Sequence, residues 1–214
     1  MSVIVEVEIE GVTSFLMHRF TDADANGDAA SRNVLVTRGT PREEATKCEY
    51  RTPTGELYFP GTCIGRMLSE AGGGHKMKGS RKSAKYLVPA AVIVLDDAIL
   101  FRGIDGKVLS DYEVDSRPVT IPATKGRIMR HRPRIDRWRA RFSLRVNPKV
   151  LPIDLIHKLM QEGGEQQGIG DYRPQKGGPF GTFRVIHWHE VVASEEKDVK
   201  GGKSGRERND KAAE

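Results

Sequence analysis

Residues 125–146, KGRIMRHRPRIDRWRARFSLRV, carry nine Lys or Arg and a single acid, Asp136. Fixed cations at that density suit a polyanion, and nucleic acid is the obvious one. From Arg137 onward the residues alternate. Trp138, Ala140, Phe142, Leu144 and Val146 fall on one side; Arg137, Arg139, Arg141, Ser143 and Arg145 fall on the other. Successive strand side chains point to opposite faces, so the spacing predicts a strand with one buried and one cationic face. The plain alternative is a solvated outer face. A second basic cluster, His75 to Lys85, adds Lys76, Lys78, Arg81 and Lys82, and Arg130, Arg132 and Arg134 lie just upstream of the alternating run. These cations, with Arg173 and Lys176, are the candidate nucleic-acid contacts.

Other spacings hint at different chemistry. Five glycines and two prolines crowd residues 168–181, GIGDYRPQKGGPFG. A loop with Gly168, Gly170, Gly177, Gly178 and Gly181 and the side chains of Arg173 and Lys176 would suit cradling of phosphates. A tight connection around a buried Phe180 explains it equally well. Gly168-x-Gly170 is not a dinucleotide fingerprint, since no strand precedes it and no helix follows. Residues 22–28, DADANGD, copy the first seven positions of a calcium-binding loop, but the twelfth is Asn33 where a bidentate Glu is required. More loosely, Asp22, Asp24 and Asp28 could hold a divalent ion for phosphodiester cleavage near His18. A lone His at a strand end is more often structural, and no paired base and nucleophile are evident. His187 and His189 share a strand face without a third ligand, so no metal site is expected. Nothing in the sequence asks for a cofactor.

The elements that must position these groups follow from periodicity. Residues 2–11 alternate, with Val3, Val5, Val7 and Ile9 on the buried side, and the strand runs on to His18. Residues 21–54 are polar and poorly periodic, long for a connection within a compact domain. Thr62 can cap a helix whose apolar stripe is Ile64, Met67, Leu68 and Ala71, ending at Gly72-Gly73-Gly74. Gly65 inside it implies close packing or a backbone contact. Leu87 to Leu95 reads as a fully buried strand, followed by a partner near Ile99 to Arg102. Residues 112–121 are extended because Pro118 rules out a helix interior, and Glu113, Asp115 and Arg117 share a face there, suited to pairing with nearby arginines. Pro152 starts a helix with Leu155, Ile156, Leu159 and Met160 as its stripe, weakened or ended by Gly163-Gly164. Residues 182–192 form the last strand. The order is βαββαβ: an α+β, ferredoxin-like or RNA-recognition-like antiparallel sheet with two helices on one face and long inserted loops.

Composition bounds the class. The chain has 214 residues, a net charge of +6 and a pI near 9.4. The last twenty-one residues hold six cations and six acids, so the excess charge belongs to residues 1–192, read as one folded domain with a disordered charged tail at 193–214. Two cysteines are too few for a disulfide framework, which fits a cytoplasmic protein. No signal peptide or membrane span is expected, because Glu6, Glu8 and Glu10 interrupt the first apolar segment.

Three landmarks resemble a known family. Ser14-Phe15-Leu16-Met17-His18 ends the first strand, Phe59-Pro60-Gly61-Thr62-Cys63-Ile64-Gly65 opens the first helix, and residues 168–183 make a glycine-rich loop before the last strand. In these the chain resembles the RAMP superfamily of CRISPR effectors, above all the backbone subunits that line up along a guide RNA. It also looks like short, uncharacterised phage and prophage proteins sharing the GIGDYRP and GGPFG runs. The RAMP resemblance implies RNA or other single-stranded nucleic acid held across the sheet, copies packing side by side, and association with other effector subunits. Backbone subunits of that family are longer, with a more developed inserted thumb; residues 21–54 and 103–125 would be reduced versions. The reading is therefore a non-enzymatic binder of single-stranded RNA or DNA. The alternatives are an endoribonuclease using His18 or the loop aspartates with a metal, and a phage assembly or interaction module whose basic face meets an acidic protein.

Overall fold

The computed structural model describes residues 2–19, 39–77, 79, 81–120 and 126–191. The acidic loop with Asp22, Asp24 and Asp28, the C-terminal tail and Lys78 lie outside them.

Strand β1, Val3–Gly11, occupies the middle of the main sheet, because both its edges are paired antiparallel, with β8 (Arg139–Val146) and β9 (Phe183–Val191). The sheet continues past β8 to β5 (Ala98–Arg102) and β3 (Tyr58–Pro60), with β4 (Val92–Val94) also on β8. Counting β1, β5, β8 and β9 as the four sheet strands of the βαββαβ plan, their order across the sheet is fourth, first, third, second. That is the ferredoxin-like arrangement, an α+β fold. Helices α2 (Thr62–Ala71) and α4 (Ile153–Gln166) cover one face. They bury Ile64, Met67 and Leu68, and Ile156, Leu159 and Met160, in the same core as Val5, Val7, Ile9, Phe142 and Leu144.

Trp138 anchors this core. It is fully buried, its ring lies within 5.7–6.4 Å of Phe15, Phe59, Phe101 and Phe183, and its Nε1–H donates to the Thr13 carbonyl at 3.0 Å. Gly11 makes room for it, since a Cβ there would stand 2.3 Å from Trp138 Nε1.

A second, three-stranded sheet joins β2 (Phe15–Leu16), β7 (Arg127–Ile135) and β6 (Glu113–Thr120). The basic run thus splits into two strands of two sheets, turning at Arg137, whose φ of +50° takes it out of the ladder. Helix α1, Pro41–Lys47, packs on the β6–β7 hairpin.

Four expectations need correction. Leu87 to Leu95 is not one buried strand: Pro89, which has no N–H to give a ladder, sits in a helical turn, α3 (Val88–Ala91), and Ile93 and Leu95 are 47% and 45% exposed. Helix α4 runs straight through Gly163-Gly164, where the missing side chains let it pack closely on Met67 of α2 and Phe183 of β9. Thr62 is the first helical residue and caps nothing; Gly61 precedes it and no side chain closes the helix start. Gly65 is not required by close packing: a Cβ there would meet no atom within 4 Å, and its carbonyl accepts from Ser69 of its own helix.

Candidate nucleic-acid interface

The alternation in β8 places its arginines as expected. Ala140, Phe142, Leu144 and Val146 are buried, while Arg139, Arg141 and Arg145 stand on the uncovered face. Register then decides what they meet. Glu10 lies across from Arg139 and Glu8 across from Arg141. Arg139 Nε donates to Glu10 at 2.7 Å, Arg141 Nε lies 3.0 Å from Glu8 Oε2, and Arg184 of β9 takes the other Glu10 oxygen. Hydrogen bonds from Arg184 and then Arg139 hold the Glu10 carboxyl below its usual range. Glu6, Glu8 and Asp96 line a shallow groove over this face together with Arg141 and His187. The open face is therefore mixed in charge, and only Arg145 of the β8 arginines lacks an acidic partner among the described residues. Arg137, in its turn, is exposed and off the strand.

The basic segment 75–85 does not feed that face. His75 bonds Glu162 of α4 at 2.5 Å and Lys85 bonds Glu70 of α2 at 2.9 Å, which fix it to the helices on the opposite side of the sheet. Lys76, Arg81 and Lys82 are exposed there.

The β6–β7 hairpin gathers a different set. Glu113, Asp115 and Arg117 pair across with Arg134, Arg132 and Arg130, so all six share one face. Asp115 clasps Arg117 through both oxygens, and Arg134 pairs with Asp136 at 3.0 Å. Arg132 is 9% exposed, with its Nε 3.0 Å from Asp171 Oδ2 but poorly aligned for a hydrogen bond. Arg127 and Arg130 have no acidic partner among the described residues.

That face meets the glycine loop. Arg117 lies over the Phe180 ring at 4.5 Å and 5.7 Å from the ring of Tyr172, which is 39% exposed on a backbone with φ +47°. The loop's N–H groups are largely spent within the protein. Ile169 donates to Gly181, Asp171 to Leu16, Gly178 to Arg173 and Gly181 to Ser14. Gly181, at φ +72°, could carry no side chain, since its Cβ would fall 1.8 Å from the Ile169 carbonyl. The tight connection around buried Phe180 accounts for the glycines, and the loop's offering to a ligand is its side chains.

Those side chains open onto a cleft of about 430 Å³ between the end of β2, the start of α2 and residues 168–175. His18, Tyr50, Cys63, Arg66, Asp171 and Arg173 line it over a floor that includes Phe15, Met17, Phe59 and Met67. His18 Nδ1 is 3.5 Å from Asp171 Oδ2. Burial alone would raise the Asp171 carboxyl, yet the proximity of His18 and the Arg132 charge outweigh it and hold it below its usual value, although Asp171 Oδ2 is without a well-aligned hydrogen bond. Arg173 is held by neutral groups, the Gly170 carbonyl at 2.9 Å and Gln175 Oε1, and Arg66 has no hydrogen bond or ion pair among the described residues. Neither guanidinium forms an ion pair among the described residues, although behind the Lys85 hydrogen bond the charge of each helps hold the Glu70 carboxyl of α2 below its usual range. Among the described residues no group of three or more His, Cys, Asp or Glu could hold a metal ion.

Sequence reading found Arg173, Arg130 and His18, but missed Arg66, Arg117, Tyr172 and Asp171. The last two sit in the glycine run itself. Arg66 falls four residues after Thr62, on the same helix face, a signal available in the spacing.

No protein-family model matches this chain, and no curated protein does. Solved structures do. A chain in the cryo-EM structure of the Type III-B Cmr-beta bound to cognate target RNA is similar over 90% of this chain, with a TM-score of 0.56 and 14% identity. The fold is RAMP-like. This chain spans 62% of the length of that one. Cmr6 from Pyrococcus furiosus is similar over 86% of this chain and 98% of its own, with a TM-score of 0.44 and 7% identity. The first likeness supports the RAMP-like fold and not the resemblance to phage and prophage proteins. No helix among the described residues is long and apolar enough to cross a membrane.

Proposed function

We propose that this protein binds single-stranded RNA, as a non-enzymatic component of an RNA-guided effector. The observation that carries the reading is where the cations that form no ion pair among the described residues gather. Arg66 and Arg173 in the cleft are joined through Asp171 and Arg132 to the hairpin carrying Arg127 and Arg130. Exposed Tyr172 lies between, beside the Arg117 guanidinium, and an exposed ring at such a place is a stacking platform for a base. The fold's likeness to a complex solved with target RNA supports the same reading. Arg139 and Arg141, tied to glutamates, contribute less than their number in the sequence implies; Arg145 and Lys176 extend the surface.

The test is fluorescence polarisation with a labelled single-stranded RNA. An Arg127→Glu, Arg130→Glu variant is expected to lose most of the affinity while an Arg139→Gln, Arg141→Gln variant loses little. Equal losses in the two, or none in either, would remove the hairpin from the account.

One observation favours a second reading, a metal-independent ribonuclease. His18 is oriented by Asp171 at the mouth of a cationic cleft, where it could take the proton from a ribose 2′-hydroxyl while Arg66 and Arg173 stabilise the charge that develops on the phosphate. Cleavage of labelled RNA in the presence of chelator, lost in His18→Ala, would establish it.

A further inference from the structure

We propose that the cleft at the start of α2 holds one nucleoside monophosphate, its phosphate between Arg66 and Arg173 and its base over the Met17 and Met67 floor beside Tyr50. This rests on the RNA-binding reading and names what that site takes. The cleft has the volume of a small-ligand site, with an apolar and aromatic floor and a rim of polar and charged side chains. The carboxylate in the lining, Asp171, is already engaged by Arg132 and His18. Glu70, the acid whose charge reaches both guanidiniums, is bonded to Lys85, so neither guanidinium has an ion pair of its own among the described residues. Both guanidiniums line the cleft with Cys63, whose thiol burial raises and both positive charges lower. Two guanidiniums on one cleft suit the dianion of a phosphate monoester better than one diester. Helix α2 enters beside them without a side-chain cap, and Thr62 and Cys63 of its first turn line the cleft, an end of the helix that favours negative charge. The apolar floor argues for a base attached to the phosphate, which inorganic phosphate would leave unfilled.

The monophosphate is either a free nucleotide or the 5′-phosphorylated end of an RNA strand. Calorimetry on the full chain separates them, using adenosine monophosphate, adenosine, and the same RNA with a 5′-phosphate or a 5′-hydroxyl. The expected result is adenosine monophosphate bound at least about tenfold more tightly than adenosine, with that preference lost in Arg66→Gln. Arg66 is exposed, so this variant should keep the wild-type melting temperature. If adenosine monophosphate does not bind but 5′-phosphorylated RNA outbinds 5′-hydroxyl RNA in an Arg66-dependent way, the strand end is the occupant. RNA binding that ignores the 5′ end, together with no nucleotide binding, overturns this proposal and leaves the RNA reading intact. Nucleotide binding that persists in Arg127→Glu, Arg130→Glu after strand affinity is gone would show the cleft to be a site of its own.

Discussion

Asp171 joins three parts of the molecule: the end of β2 through His18, the hairpin through Arg132, and the glycine loop on which it sits. Its carboxyl is held below the unfolded value, near 3.9, so it adds stability above that pH. That contribution is lost as pH falls through the depressed folded value. Asp171→Asn should therefore cost about 1–3 kcal/mol at pH 7, because it leaves a nearly buried guanidinium without its ion. Urea unfolding of both proteins at pH 7 and in the acid range checks this: the difference should shrink below about pH 4. A gap that persists in acid would mean the lost interaction is not ionic. None of this pairing was legible in the chain, since Arg132 and Asp171 are far apart in sequence. The facing of Arg139, Arg141 and Arg145 was legible, because a period of two fixes it locally. Their partners were not: Glu8 and Glu10 lie opposite only through a register set by long-range pairing.

Among the elements, the glycines separate into two kinds that the sequence does not distinguish. Gly65 faces open space, so Gly65→Ala should stabilise the protein by about 0.5–1 kcal/mol through helix propensity alone. Gly164→Ala should destabilise it by about 1–3 kcal/mol, because the new Cβ would stand 2.6 Å from the Phe183 carbonyl. Thermal melts of the two variants, shifting in opposite directions, check the helix placement. Helix α1 shows the opposite kind of legibility. Thr40-Pro41-Arg42-Glu43 spells a capping box with proline in the first turn, and the bonds form as spelled. It escaped notice because the helix buries little beyond Ala45 and shows no apolar stripe. The two long helices and the alternating strands were legible because they bury a whole face.

For the molecule as a whole, the balance of charge moves the proposed RNA surface from the open sheet face to the hairpin, the glycine loop and the cleft. Among the described residues, nine-residue β9 is an unpaired edge of the main sheet, with Ile186 and Val191 at 40% and 38% exposure, and we propose it as the contact between copies side by side on a strand. Mass photometry on a long RNA should then show several copies per strand, where Ile186→Lys gives fewer. Engaging six to ten phosphates along the way would make affinity fall by roughly 10³–10⁵ between 50 and 200 mM salt. The most direct test is the polarisation titration of single-stranded RNA across that salt range, on the wild type and on Arg127→Glu, Arg130→Glu. The account predicts a steep salt dependence that flattens in the variant as its affinity collapses; salt-insensitive binding, or a variant that binds as well as the wild type, would contradict it.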